Sequence, residues 1–126
     1  MIPAKYKIEI WRGGTWTIGI QQDTIDFASY DEIRMQIRPS FLRKVPTEEA
    51  LFTLALSNGR VTLEESGQVL RLTISAADTA SLSFDEGVYD LEMVKYVDLT
   101  AVPPIPEEIV DKLLYGKVLV YKEQTV

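Results

Sequence analysis

Apolar residues recur at every second position through most of this chain. That alternation restricts it to half-buried strands, because successive side chains on a strand point to opposite faces of a sheet. Tyr6, Ile8 and Ile10 alternate with Lys7, Glu9 and Trp11, and Trp16, Ile18 and Ile20 resume the period after Arg12-Gly13-Gly14-Thr15. Ile33, Met35 and Ile37 repeat it, as do Leu70, Leu72 and Ile74, and then Tyr89, Leu91 and Met93 with Asp90 and Glu92 facing outward. Leu51–Leu56, Val61–Glu64 and Leu114–Tyr121 read as further strands. A helix would need the period of 3.6, and no long stretch has it.

The punctuation between strands agrees. Gly13-Gly14 predicts a tight hairpin turn joining its two flanking strands, since glycine reaches positive φ cheaply. Asn58-Gly59 is the strongest short hairpin signal, after which Val61–Glu64 either pairs back or crosses over. Pro39 ends the strand before it, because proline cannot donate to a ladder. Ser75-Ala76-Ala77-Asp78 has a hydroxyl cap with an acid three residues on, which predicts one helical turn through Leu82. A second short helical turn is expected near Thr47. Val97–Lys112 breaks the pattern: Val102-Pro103-Pro104-Ile105-Pro106 excludes regular sheet, and Pro106–Leu113 suits a short helix with proline in its first turn.

Seven to nine short strands, frequent turns and little helix predict an all-β antiparallel sandwich or barrel. At 126 residues, 46% of them hydrophobic, the chain is sized for a single domain, with a long proline-bearing loop at 97–113. It has no apolar run long enough for a membrane helix. Met1–Lys5 lacks the basic and apolar regions of a secretory signal, so synthesis and folding in a cytoplasm are expected.

The residue inventory narrows the chemistry. With no cysteine, disulfides, thiolate catalysis and cysteine metal sites are excluded; with no histidine, the commonest metal ligand and near-neutral acid–base group is missing. The expectation is no enzyme, no catalytic residues, no cofactor, no metal and no small-molecule substrate. A net charge of −6 repels polyanions, and the basic cluster Arg34, Arg38, Arg43 and Lys44 is flanked by Asp31, Glu32, Glu48 and Glu49, so nucleic acid is not the expected partner.

The acidic pairs Asp31-Glu32, Glu64-Glu65, Asp85-Glu86 and Glu107-Glu108 sit mostly at turns and read as solvated. Asp90 and Glu92 share a strand face but lack the glycine-bearing acidic loop of a calcium site. Ser75 has no histidine to activate it and is better explained as a helix cap. Candidate partner contacts are Trp11, which is either an exposed anchor or, as large aromatics more often are, packed in the core or at an edge, and Val102, Pro103, Pro104, Ile105 and Pro106, which either present a stiff surface or cover a sheet edge.

Four stretches taken in order resemble a family of small structural proteins encoded among the virion genes of tailed phages and prophages, with a fold related to the N-terminal domain of phage baseplate upper proteins. They are Tyr6–Ile10 with Gly13-Gly14-Thr15-Trp16; Tyr30 with Arg34–Arg38; Leu72–Ala80 continuing to Gly87–Glu92; and Leu114–Val120 ending in Glu123-Gln124-Thr125. The resemblance implies an immunoglobulin-like sandwich with a structural role in the tail or baseplate, located in the virion after assembly in the host cytoplasm. It also implies other virion proteins as partners, through homo-oligomerisation or docking on a larger tail protein. The family usually joins its last two strands by a short turn, and Val97–Leu113 departs from that. A head decoration or head–tail completion protein is the alternative within this class. A carbohydrate- or surface-binding module using Trp11, Tyr96 or Tyr121 is the alternative outside it.

Overall fold

The computed structural model describes residues 3–39, 50–96 and 108–122. These form two packed sheets. The strands are β1 (Ala4–Lys5), β2 (Ile8–Trp11), β3 (Trp16–Gln21), β4 (Glu32–Arg38), β5 (Phe52–Ala55), β6 (Val61–Glu64), β7 (Val69–Ile74), β8 (Glu86–Tyr96) and β9 (Glu108–Tyr121). One short helix, α1 (Ala76–Ala80), bridges β7 and β8, and 3-10 turns occupy Phe27–Ser29, Leu56–Asn58 and Glu65–Gly67.

The larger sheet runs β1-β9-β8-β4-β5, with β2 continuing beside β9, and the smaller runs β3-β7-β6. An immunoglobulin sandwich has the same neighbours, its second, fifth and fourth strands facing a sheet built on its third, sixth and seventh. The alternating residues meet between the layers. Ile8, Ile10, Ile33, Met35, Ile37, Leu91 and Met93 from the larger sheet pack against Leu70, Leu72, Ile74 and Val61 from the smaller, all buried. Each such side chain contributes about 1.5–3 kcal/mol by leaving water. Trp16, Ile18 and Ile20 face the same core from β3 but are only partly covered.

Four expectations are revised. The double-glycine turn does not make a hairpin: β2 pairs with β9 and β3 with β7, so the chain crosses from one sheet to the other. Gly13 has φ 85°, as a tight reversal requires, but Ile8 and Ile10 on one side and Trp16, Ile18 and Ile20 on the other belong to opposite layers. Nor is the sheet wholly antiparallel, since β1 and β2 both run parallel to β9. Residues 108–113 are strand, not helix: Ile109 and Val110 pair with Lys95 and Val94, extending the β8–β9 ladder. A helix of a few residues has no cooperative stability, whereas pairing satisfies these backbone groups at once. The β8–β9 connection therefore covers 97–107, less than the predicted 97–113. Finally, Tyr6 is 47% exposed, unlike Ile8 and Ile10; it lies in the break between β1 and β2, which keep one register on β9.

The backbone at that break is held locally. Tyr6 N–H donates to the Tyr115 carbonyl, and the buried Tyr89 hydroxyl donates to the Tyr6 carbonyl at 2.6 Å. Gly116 lies directly beneath, and a Cβ there would collide with the Tyr6 carbonyl. The absent side chain lets the N-terminal segment lie against β9.

The Asn-Gly signal also marks a crossover. Gly59 has φ 81°, Asn58 Oδ1 accepts from Ala55 and Arg60 N–H, and the flanking strands β5 and β6 lie in different sheets. The Ser75 cap is as expected: its hydroxyl accepts from Asp78 N–H at 3.2 Å.

Candidate interaction surface

Trp11 closes β2 on the outer face of the larger sheet. Its strand neighbours Ile8 and Ile10 point inward, so by the period of two it points out, and it is 48% exposed. It does not stand alone. The parallel register sets Trp11 beside Tyr121 of β9, and the rings stack with centroids 4.5 Å apart and planes 27° off parallel. Trp11 is therefore not a core residue: it packs at the edge on Tyr121 and stays half exposed.

The backbone beneath this pair is held on several sides. Arg12, next in sequence, sends Nε to the Leu82 carbonyl (3.0 Å) and Nη2 to the Phe84 carbonyl (2.8 Å) and Asp85 Oδ1 (2.9 Å). Its own N–H donates to the Tyr121 carbonyl at 3.1 Å, tying together the two strand ends that carry the rings. Thr79 of α1, fully buried, accepts from Gly13 N–H at 3.1 Å, and its hydroxyl lies 2.8 Å from the Gly14 carbonyl. The Ser75 cap thus acts at a distance: it starts the helix that places Thr79 under the turn. An aromatic surface fixed before binding loses little conformational entropy on contact.

The other predicted contacts, Val102, Pro103, Pro104, Ile105 and Pro106, lie outside the described residues, as do Arg43, Lys44 and the expected turn near Thr47. Tyr96 does not join the aromatic pair. It closes β8 opposite Glu108, whereas Glu86, at the start of β8, pairs with Leu119, two residues from Tyr121. The sugar-binding cluster of Trp11, Tyr96 and Tyr121 is therefore not assembled. Exposed Ile109 and Val110 lie near Tyr96, an apolar surface that the sequence reading assigned to a loop.

About half of the described charged side chains pair with one another. Arg34 bridges Glu92 (3.2 Å) and Glu108 (3.1 Å), Lys112 is 3.8 Å from Asp90, and Arg71 reaches Glu64 at 2.7 Å. Partial burial works to lower the Arg34 pKa, but Glu108 and Glu92 overcome this and hold it above its ordinary value. Of the basic cluster, Arg34 is thus paired with acids. Arg38 donates to Gln36.

Asp90 and Glu92 each face a cation, and among the described residues no group of three or more carboxylates forms a metal site. Two tyrosines are perturbed. Burial first, then the neighbouring Tyr6 and Asp90, pushes the Tyr89 hydroxyl far above its ordinary value. Burial and the bond to Asp111 raise that of Tyr30.

A second surface was not foreseen. Beside β3 runs a groove of about 460 Å³ lined by Tyr6, Ile18, Gly19, Ile20, Gln21 and Leu114. It adjoins a smaller one of about 160 Å³, where Ile20 and Leu114 recur with Ala4 and Ile25. The signal was present in the uncharged run Thr15–Gln22, but reading it required knowing which strand lies at an edge.

No protein-family model matches the chain, and no curated protein matches it.

Proposed function

We propose that the chain is a non-enzymatic structural or adaptor protein of a tailed-phage virion, working by protein–protein contact in the tail or baseplate region. The observation that carries the contact role is the exposed Trp11–Tyr121 stack on a backbone pinned by Arg12 and Thr79. Tryptophan and tyrosine are the residues that most often dominate binding energy when a partner covers them. The virion setting is supported by the resemblance of the four ordered stretches from Tyr6 to Thr125. The non-enzymatic reading is supported by the absence of histidine and cysteine from the whole sequence and by carboxylates committed to cations.

Electron micrographs of intact particles labelled with an antibody to this protein test the proposal. Label at the tail tip or baseplate is the expected result. Label on the capsid would replace it with a head-decoration role, and particles free of label would end the virion reading.

A further inference from the structure

Among the described residues, the smaller sheet has an open edge at β3. In an immunoglobulin-type sandwich the first strand can lie beside the second and cover it. Here β1 and β2 are drawn to β9 instead, so β3 pairs with β7 alone among the described residues.

The backbone directions on that edge can be worked out. Thr73 N–H donates to the Arg60 carbonyl, so the odd-numbered residues of β7 point their backbone groups toward β6. The even-numbered ones therefore point toward β3, and Leu72 is opposite Ile18. It follows that Trp16, Ile18 and Ile20 bond to β7, while Thr17, Gly19 and Gln21 direct N–H and C=O outward.

Natural edge strands are usually guarded by a charge, a proline or a bulge. From Thr15 to Gln22 there is neither charge nor proline, and the β3–β7 register runs without a break. The described residues lining the adjoining groove are uncharged as well.

We infer that β3 pairs antiparallel with β3 of a second copy of this chain, about a two-fold axis at Ile18. The sequence is self-complementary in that register. Trp16 faces Ile20 of the second copy and Ile18 faces Ile18, so apolar meets apolar along the core side. Thr17 faces Gly19 and exchanges hydrogen bonds with it; the one charge reaching this edge among the described residues, the Arg71 guanidinium on the outer face beside Thr17 Oγ1 (3.3 Å), is paired with Glu64 at 2.7 Å. Aromatic against β-branched is among the favourable cross-strand pairings. Moving the axis to Gly19 would set Trp16 against Gln22 and lose that match. The β3 edge is a different surface from the Trp11 corner, and its pairing does not depend on that corner's role.

Because the chain has no cysteine, Ile18→Cys offers a direct reading. Facing residues of a non-hydrogen-bonded pair have Cα atoms about 4.5 Å apart, within disulfide range. Ile18→Cys should oxidise to a covalent dimer. Ile20→Cys should not, since its two copies lie on the order of 13 Å apart in this register.

In parallel, sedimentation of the wild-type protein should give twice the chain mass, with slow amide exchange at Thr17, Gly19 and Gln21. Gly19→Pro removes an outward N–H, its ring meeting the flexible end of Arg71 (3.0 Å from a Cβ there), and should weaken dimerisation at least about tenfold. Should it fail to fold, Gln21→Pro serves the same purpose. A monomer at all concentrations overturns the inference, whether its β3 amides exchange freely or are protected by another part of the chain. So does a dimer that keeps its affinity in the proline variant and forms no Ile18→Cys disulfide.

Discussion

Arg12 shows how much one side chain can organise. Only 18% of it is exposed, and it satisfies two carbonyls and a carboxylate that close the segment between α1 and β8. Arg12→Ala should cost about 1–3 kcal/mol in denaturant unfolding, because the two part-buried carbonyls would be left unmatched while exposed Asp85 turns to water. Lysine should restore little, since one ammonium cannot reproduce the guanidinium's fork of donors.

Tyr89 makes a pH prediction. Its pKa is raised on folding, so its contribution is complete below the unfolded value near 10 and is lost as pH rises above that toward the folded one. Stability should fall above about pH 10 by up to about 1.4 kcal/mol per pH unit from this group. Tyr89→Phe should flatten that slope while lowering stability at neutral pH by about 1 kcal/mol, the bond to Tyr6 being lost. Equal alkaline slopes in the two proteins would contradict it. None of this was legible beforehand: the alternation marked Tyr89 as inward, but the carbonyl it meets is 83 residues away in sequence.

At the level of elements, strands were legible wherever one face is buried. β4, β7 and β8 fall where the period of two put them, because a slip of one residue would turn Ile33, Leu72 or Leu91 into water. The start of β9 was hidden. Glu108, Ile109 and Val110 are all exposed, so no alternation marks them, and only the partner strand β8 makes them sheet. The turns were found, but their consequence was not. Glycine at Gly13 or Gly59 announces a reversal without saying whether the next strand returns to the same sheet. Gly116 passed unnoticed for a related reason: its role is the close approach of Tyr6, a long-range contact. Gly116→Ala should destabilise by about 3 kcal/mol and loosen β1 first, seen as faster amide exchange at Tyr6. Unchanged protection there would refute the proposed packing.

For the whole molecule, the two-layer architecture followed from composition and period, and the sheet order did not. Nothing local says that β1 and β2 lie parallel to β9, yet this choice both seats Trp11 on Tyr121 and leaves β3 paired with β7 alone among the described residues. The candidate surfaces are thus products of topology built on residues that sequence alone could only mark. Trp11 was one of them; the β3 groove emerged only when the layers were assembled.

The central claim is that this protein acts by presenting a fixed aromatic surface to a partner in a particle. The direct measurement is the amount of Trp11→Ala protein incorporated into purified virions relative to wild type. The ring is exposed and outside the core, so the variant should unfold within about 1 kcal/mol of wild type. Incorporation should nevertheless drop at least about tenfold, as removal of a binding anchor implies. Folded Trp11→Ala protein entering particles at the wild-type level would contradict the account.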